Sequence, residues 1–268
     1  MNNIIFKKSI PNFITISNLF LGFTSIILLA LSINSNTEYI KTACYLILFS
    51  TVLDVLDGKI ARKLNISTDF GKEIDSLADL VSFCIVPSFL VFVYYTVVLP
   101  DYIQLSMLIL LSSFPLIFGA VRLAKYNSLT EMRDSDKYLG LPTPSNAILI
   151  CSLVLFGMNL PIRGFVGTNN FESIIFSMFG WMINIEFMVL LISIISSVLL
   201  MSKVNYEKFP LISLNIDKRN SINLIKIMLF IFILTISIYF RYYDVVLLFF
   251  IFIYIFGNAL KFLVNLNK

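Results

Sequence analysis

The chain has 268 residues and a net charge of +4 at pH 7, with 58% of its residues hydrophobic and only 13% charged. Its mean hydropathy of +0.90 excludes an ordinary soluble domain of this size. The absence of histidine removes imidazole nucleophiles, bases and metal ligands, so any metal would be held by oxygen. The basic residues are spread between apolar segments rather than gathered in a patch, which is the pattern of membrane topology and not of nucleic-acid binding.

Apolar runs long enough to cross a hydrocarbon core of roughly 30 Å recur along the whole chain. The first, at 13–34, follows Pro11 and Asn12, contains Thr15 and Asn18, lacks a small-residue cleavage site and is read as a retained helix. Further helices are expected at 40–63, 71–98, 102–125, 142–160 and 174–202, and two more, after a polar stretch containing Pro210, at 221–240 and 243–264. The expectation is therefore an all-α polytopic membrane protein of about eight transmembrane helices, with a membrane domain over 1–202, a cytoplasmic linker over 203–220 and a two-helix hairpin over 221–268. The hairpin is rich in Ile, Phe and Leu, with Arg241 and Asp244 at its turn, and is read as lipid-facing. Cys44, Cys84 and Cys151 lie in three different runs and are expected to pack as small hydrophobes without a disulfide. With the termini and alternate loops on one side, all of the 20 Lys and Arg fall there except Lys41, Arg163 and Arg241, which puts both termini in the cytoplasm.

The second and third expected helices carry residues that lipid would reject. Asp54 and Asp57 are three apart, and Asp75 and Asp79 four apart, so each pair shares one face of its helix. A turn around residues 64–70 would bring the pairs face to face near the cytoplasmic end. A buried carboxylate costs about 2.5–3.5 kcal/mol even on lenient insertion scales, and four unpaired ones on the order of 10 kcal/mol. Two divalent cations would balance the four negative charges, and oxygen ligation without histidine favours Mg²⁺ or Mn²⁺. Gly58, Ala61 and Gly71 remove bulk beside the acids, allowing helix backbones or phosphate groups to approach.

Asp54, Asp57, Gly58, Ala61, Arg62, Gly71, Asp75 and Asp79 together spell D-x-x-D-G-x-x-A-R-x₈-G-x-x-x-D-x-x-x-D, between two apolar runs. This string resembles the signature of the CDP-alcohol phosphatidyltransferases at every fixed position. The resemblance implies a six-helix membrane core and a homodimer, with Asp54, Asp57 and Asp75 as principal metal ligands. It makes Asp79 the catalytic base, which may itself ligate metal, and Gly58, Arg62 and Gly71 contacts to a CDP-linked lipid donor. Ala61, with Thr15 and Asn18 of the first helix, is assigned to the same donor site.

The opening Ile10-Pro11-Asn12-Phe13-Ile14-Thr15-Ile16-Ser17-Asn18-Leu19 with Gly22, the run Arg122-Leu123-Ala124-Lys125-Tyr126-Asn127, and Gly140-Leu141-Pro142-Thr143-Pro144 are similar to the membrane-embedded, serine-accepting branch of that family. Lys125 and Tyr126 stand where Arg and Phe are more usual. This branch implies CDP-diacylglycerol and L-serine as substrates, with Arg122 and Lys125 receiving the serine carboxylate. Arg122 and Lys125 are also explained as positive-inside anchors, and Gly140–Pro144 as a loop that breaks before a helix. Glycerol 3-phosphate, inositol phosphate and choline are competing acceptors, CDP-archaeol a competing donor, and a cation transporter a reading from another class. A separate soluble class of serine-accepting enzymes uses histidine–lysine motifs and is excluded by the lack of histidine.

Overall fold

The computed structural model describes residues 2–34, 36–63, 68–99, 103–128, 137–159, 185–207 and 218–266. Among them the chain forms eight helical rods: α1 Asn2–Ser32, α2 Glu38–Lys63, α3 Asp69–Val98, α4 Leu105–Ser128, α5 Thr143–Asn159, α6 Ile185–Leu200, α7 Lys218–Tyr239 and α8 Tyr243–Leu266. Five of these carry apolar spans long enough to cross a membrane, while α5, α6 and the apolar part of α7 are shorter. The molecule is a mostly helical, multi-pass membrane protein. Helix α1 begins well before the expected residue 13 and runs through Pro11. The first part of the expected 174–202 helix, like residues 64–67 of the expected 64–70 turn, lies outside the described residues.

Local chemistry sets the helix that carries the second acid pair. Thr68 is extended at the start of α3, and its Oγ1 accepts from the Gly71 N–H at 3.0 Å, a side-chain cap on the first turn. Directly after Asp79 the helix widens into a π-helical segment, Leu80–Ile85, and it widens again at Tyr94–Val98. Helix α4 breaks at Ser113 before Pro115, and the freed Leu116 N–H donates to Ser88 Oγ of α3 at 2.8 Å.

Helix α1 packs along α2 and also against α3, while α5 runs through the middle of the bundle against α2, α3, α6 and α8. Leu149, Ile150, Val154 and Leu155 of α5 are wholly buried with Ile40, Ala43 and Ile47 of α2 and Val86 and Leu90 of α3. By contrast, Phe13, Phe20 and Phe23 of α1 stand exposed, as lipid-facing residues should. Cys44, Cys84 and Cys151 are buried free thiols.

A short antiparallel ribbon joins β1 (Lys137–Leu139) to β2 (Asn205–Glu207), with Tyr138 opposite Tyr206. Part of the stretch expected to be a linker is thus strand, and Tyr206 is fully buried against Tyr254 of α8, ring centroids 5.9 Å apart. Gly140 follows β1 with φ +75°; its N–H donates to Val204 O at 2.9 Å, and the Leu141 N–H to Leu199 O at 3.0 Å. A Cβ at 140 would overlap the Leu200 carbonyl oxygen, so only glycine makes this close approach. The turn fastens the α4–α5 connection to the end of α6.

The last two helices differ from one another. Helix α7 exposes Met228, Leu229 and Phe232 and meets α8 through Phe230 and Phe250, edge-on with centroids 4.9 Å apart. Helix α8 lies against α5, buries Ile251 and Ile255, and begins at a polar contact in which Tyr243 meets Tyr45 of α2 and Asn159 of α5. Asp244, beside that contact, is wholly buried. The lipid-facing description therefore suits α7 and only the outer face of α8.

Candidate metal-binding active site

Helices α2 and α3 bring their acidic pairs together as the spacing requires. One carboxylate oxygen from each of Asp54, Asp57 and Asp75 lies within 4.8 Å of the other two. The Asp79 carboxyl is within hydrogen-bonding reach of Asp54. Thr15 of α1 donates its hydroxyl to Asp57 Oδ2 at 2.8 Å, with the Pro11 carbonyl a second acceptor at 3.0 Å. Among the described residues, Asp75 Oδ1 and Asp79 Oδ1 are buried with no hydrogen-bond partner.

These oxygens fit a divalent cation. Oxygen ligands 2.0–2.6 Å from one ion must themselves lie within roughly 5 Å of each other, the spacing seen here. Orphaned carboxylate oxygens in a low-dielectric interior demand positive charge, and hard oxygen donors select hard cations. The three acids therefore form a cluster able to hold a metal ion.

The small residues stand next to the acids along α2 and α3. Gly58 and Ala61 continue α2 past the first acid pair, both half-buried. At Gly71 an added Cβ would lie 3.1 Å from Thr68 Oγ1 and 3.3 Å from Asn12 Oδ1, so the Asn12 amide of α1 sits directly over the start of α3. Arg62 belongs to α2, but its side chain lies outside the described residues. Asn18 is fully buried one turn deeper than Thr15: its Oδ1 accepts from Ser50 of α2, and its carbonyl accepts from Ser82 Oγ of α3 at 3.1 Å. This clamp holds α1 to both acid-bearing helices.

Arg122, buried on α4, lies within electrostatic reach of Asp79, with its guanidinium 5.8 Å from the centre of the Tyr126 ring. Lys125 is exposed one turn further along. Both line a small, open cleft together with Tyr126, Leu139, Leu200, Met201 and Ser202. The sequence-expected cations thus share one cleft beside the acids, and its far wall comes from the ribbon and the end of α6. Asn127 Nδ2 donates to Ser76 Oγ at 2.8 Å, pinning α4 to the turn between Asp75 and Asp79.

Asn12 and Asn127 stand in strings that the sequence marks, but nothing in the sequence gives them a role in the site. Ser50, Ser76, Ser82 and Tyr206 have partners distant in sequence and leave no local signal. Burial pushes the Tyr206 phenol up to about 12, so its hydroxyl stays protonated at physiological pH.

Fold and site together define a polytopic membrane protein with an acidic, metal-competent cluster at one end of its bundle. Residues 8–192 match the family model described as CDP-alcohol phosphatidyltransferase, and the chain belongs to that family. It is 37% identical over 145 residues to a CDP-diacylglycerol–serine O-phosphatidyltransferase of Helicobacter pylori, a match covering 54% of this chain and 56% of that one. It is 36% identical over 160 residues to the Bacillus subtilis protein of that name, covering 59% of this chain and 81% of the relative. An archaetidylserine synthase of Methanothermobacter thermautotrophicus is 34% identical over 152 residues, 56% of this chain and 59% of its own length. The chain thus spans little more than half the length of several curated relatives it matches.

Proposed function

We propose that the chain transfers the phosphatidyl group of CDP-diacylglycerol to the hydroxyl of L-serine, giving phosphatidylserine and CMP. The observation that carries this reading is the convergence of Asp54, Asp57 and Asp75 to within 4.8 Å, with Asp79 and the Arg122 cleft beside them. Serine as acceptor is supported by the names of the Helicobacter and Bacillus relatives. Family membership argues against the cation transporter.

Asp54, Asp57 and Asp75, with Asp79 as a further ligand, would hold Mg²⁺ or Mn²⁺, two ions on the balance of charge; when bound these neutralise the donor diphosphate and favour in-line displacement at phosphorus. Thr15 fixes the orientation of Asp57 by its hydrogen bond. Gly58, Ala61 and Gly71 keep the approach to the acids free of bulk, and Thr15, Asn18 and Arg62 are assigned to the donor. Asp79 takes the proton from the serine hydroxyl as its oxygen bonds to the phosphatidyl phosphorus, while the bond from that phosphorus to the CMP oxygen breaks. Arg122 and Lys125 receive the serine carboxylate in their shared cleft.

The distribution of basic residues supports placing both termini and the acid cluster on the cytoplasmic side of the inner membrane. There a lipid-anchored donor and a water-soluble acceptor can meet. A homodimer, which the resemblance implies, belongs to the same reading.

One observation favours a second donor: the archaetidylserine synthase matches over a similar length. Purified protein in detergent with Mg²⁺, given CDP-diacylglycerol or CDP-archaeol and, in turn, serine, glycerol 3-phosphate, inositol phosphate or choline, tests both substrates by mass spectrometry of the lipid product. Phosphatidylserine as the main product is expected. A main product carrying another headgroup would reassign the acceptor, and preference for CDP-archaeol would reassign the donor.

A further inference from the structure

Polar side chains outside the acid cluster are also buried without partners. Thr143 and Asn146 open α5, one turn apart and so on one face of the helix. Thr143 is 1% exposed and Asn146 0%. Among the described residues Thr143 Oγ1 and both polar atoms of the Asn146 amide lack a hydrogen-bond partner, as does Nε of Arg122. Native interiors seldom leave such groups bare, because each costs about 1–3 kcal/mol when unsatisfied. Thr143 and Asn146 share one helix face in this condition, and bare buried groups of this kind are satisfied by water or by a polar guest.

Their position says which guest. An added Cβ on Gly119 of α4 would lie 3.7 Å from Thr143 Cγ2 and would overlap Cys84 Sγ, so the Thr143 face looks toward α3 and α4. Gly119 precedes Arg122 by one helical turn, and both Cys84 and Arg122 lie in the field of Asp79. The start of α5 is itself held in place, because the Gly140 and Leu141 N–H groups are tied to Val204 and Leu199. The start of α5 is therefore fixed, with Thr143 close to the stretch of α3 and α4 whose Cys84 and Arg122 neighbour Asp79.

From this arrangement we infer that Thr143 and Asn146 form, with Arg122, the inner wall of the acceptor pocket and bind the zwitterionic head of an amino-acid acceptor. The inference rests on the serine reading above. The Arg122 guanidinium faces a carboxylate; the Thr143 hydroxyl and Asn146 carbonyl oxygen accept from an ammonium, and the Asn146 amide donates to an acceptor oxygen. A neutral wall beside one buried cation suits a small group with both charges better than a phosphorylated alcohol, which would bring two negative charges toward Asp79.

The test uses Thr143→Val, which exchanges a hydroxyl for a methyl of nearly equal size, together with Asn146→Ala and the conservative Thr143→Ser. Steady-state KM for serine and for CDP-diacylglycerol is measured in purified full-length protein with Mg²⁺. Expected is a rise of about tenfold or more in the serine KM for Thr143→Val and Asn146→Ala, on the scale of one lost hydrogen bond to a charged group. The donor KM should stay within about twofold, and Thr143→Ser should restore the serine KM. An unchanged serine KM, or equal changes for both substrates, would overturn the inference. Should Asn146→Ala fail to fold, Thr143→Val decides alone. Wild-type protein inert toward serine would instead sink the serine reading, an outcome visible before any variant is compared.

Discussion

Two successive helix pairs, α2 with α3 and α7 with α8, meet their surroundings in opposite ways. The second pair fills its contact with rings, Phe230 edge-on to Phe250, and shows lipid a further apolar surface at Met228, Leu229 and Phe232. The first pair gathers carboxylates, with Asp75 and Asp79 oxygens left bare among the described residues. Apolar packing is complete as folded. The acidic pair is complete only when something of opposite charge joins it, since each unpaired carboxylate in such a setting costs about 2.5–3.5 kcal/mol. The lesson is that convergence of several carboxylates, and not hydropathy or one buried acid such as Asp244, separates the working end of this bundle from its scaffold.

The contrast breaks most severely at the acids. Asp75→Asn keeps the shape and removes a charge from the three-residue cluster, so turnover should fall to assay background while the protein still purifies as a folded species. Next, Asp79→Asn should lower kcat by about 10²–10⁴-fold with metal-dependent donor binding retained. Loss of donor binding would make Asp79 chiefly a metal ligand, and near-normal kcat would make it dispensable. Arg122→Ala should raise the serine KM by about ten- to hundredfold with little change for the donor, because a charge-assisted contact is worth about 1.5–3 kcal/mol. Unchanged serine KM would return Arg122 to a purely topological role.

Smaller effects test the scaffold. Gly140→Ala puts a side chain on a left-handed backbone that alone costs about 1–2 kcal/mol, and it also strikes the Leu200 carbonyl, so thermal unfolding in detergent should shift clearly downward. Phe232→Ala, on the exposed face of α7, should change stability by less than about 0.5 kcal/mol and leave turnover intact. A large loss of activity there would show that α7 is coupled to the site after all.

How much of this could be read in the sequence depends on how local the determinants are. The apolar runs announced the helices, and the three- and four-residue spacings of Asp54, Asp57, Asp75 and Asp79 fixed the two acidic faces before any coordinates. Arg122 and Lys125 were found through a string of residues on a single helix. The β1–β2 ribbon leaves no local signal because strands of three residues, with Tyr138 and Tyr206 some seventy positions apart, show no alternation to detect. A helix at 142–160 is legible, but Gly140–Pro144 before and at its start fits either a mere loop or a part of the resemblance, since Gly140 and two prolines signal a turn equally well whether or not it is buried. Thr143 and Asn146 became visible only once burial and missing partners were known, and α8 joined the bundle through residues that in sequence look like any lipid-facing helix.

The central claim is that the carboxylates of α2 and α3 hold divalent cations on which phosphatidyl transfer depends. Its most direct measurement is a Mg²⁺ titration of serine-dependent CMP release from CDP-diacylglycerol, run on wild type and Asp75→Asn after stripping with EDTA. The wild type should be silent without metal and saturate as Mg²⁺ is added, while Asp75→Asn stays at background over the same range. Full wild-type release in excess EDTA, or equal metal response from Asp75→Asn, would contradict the claim.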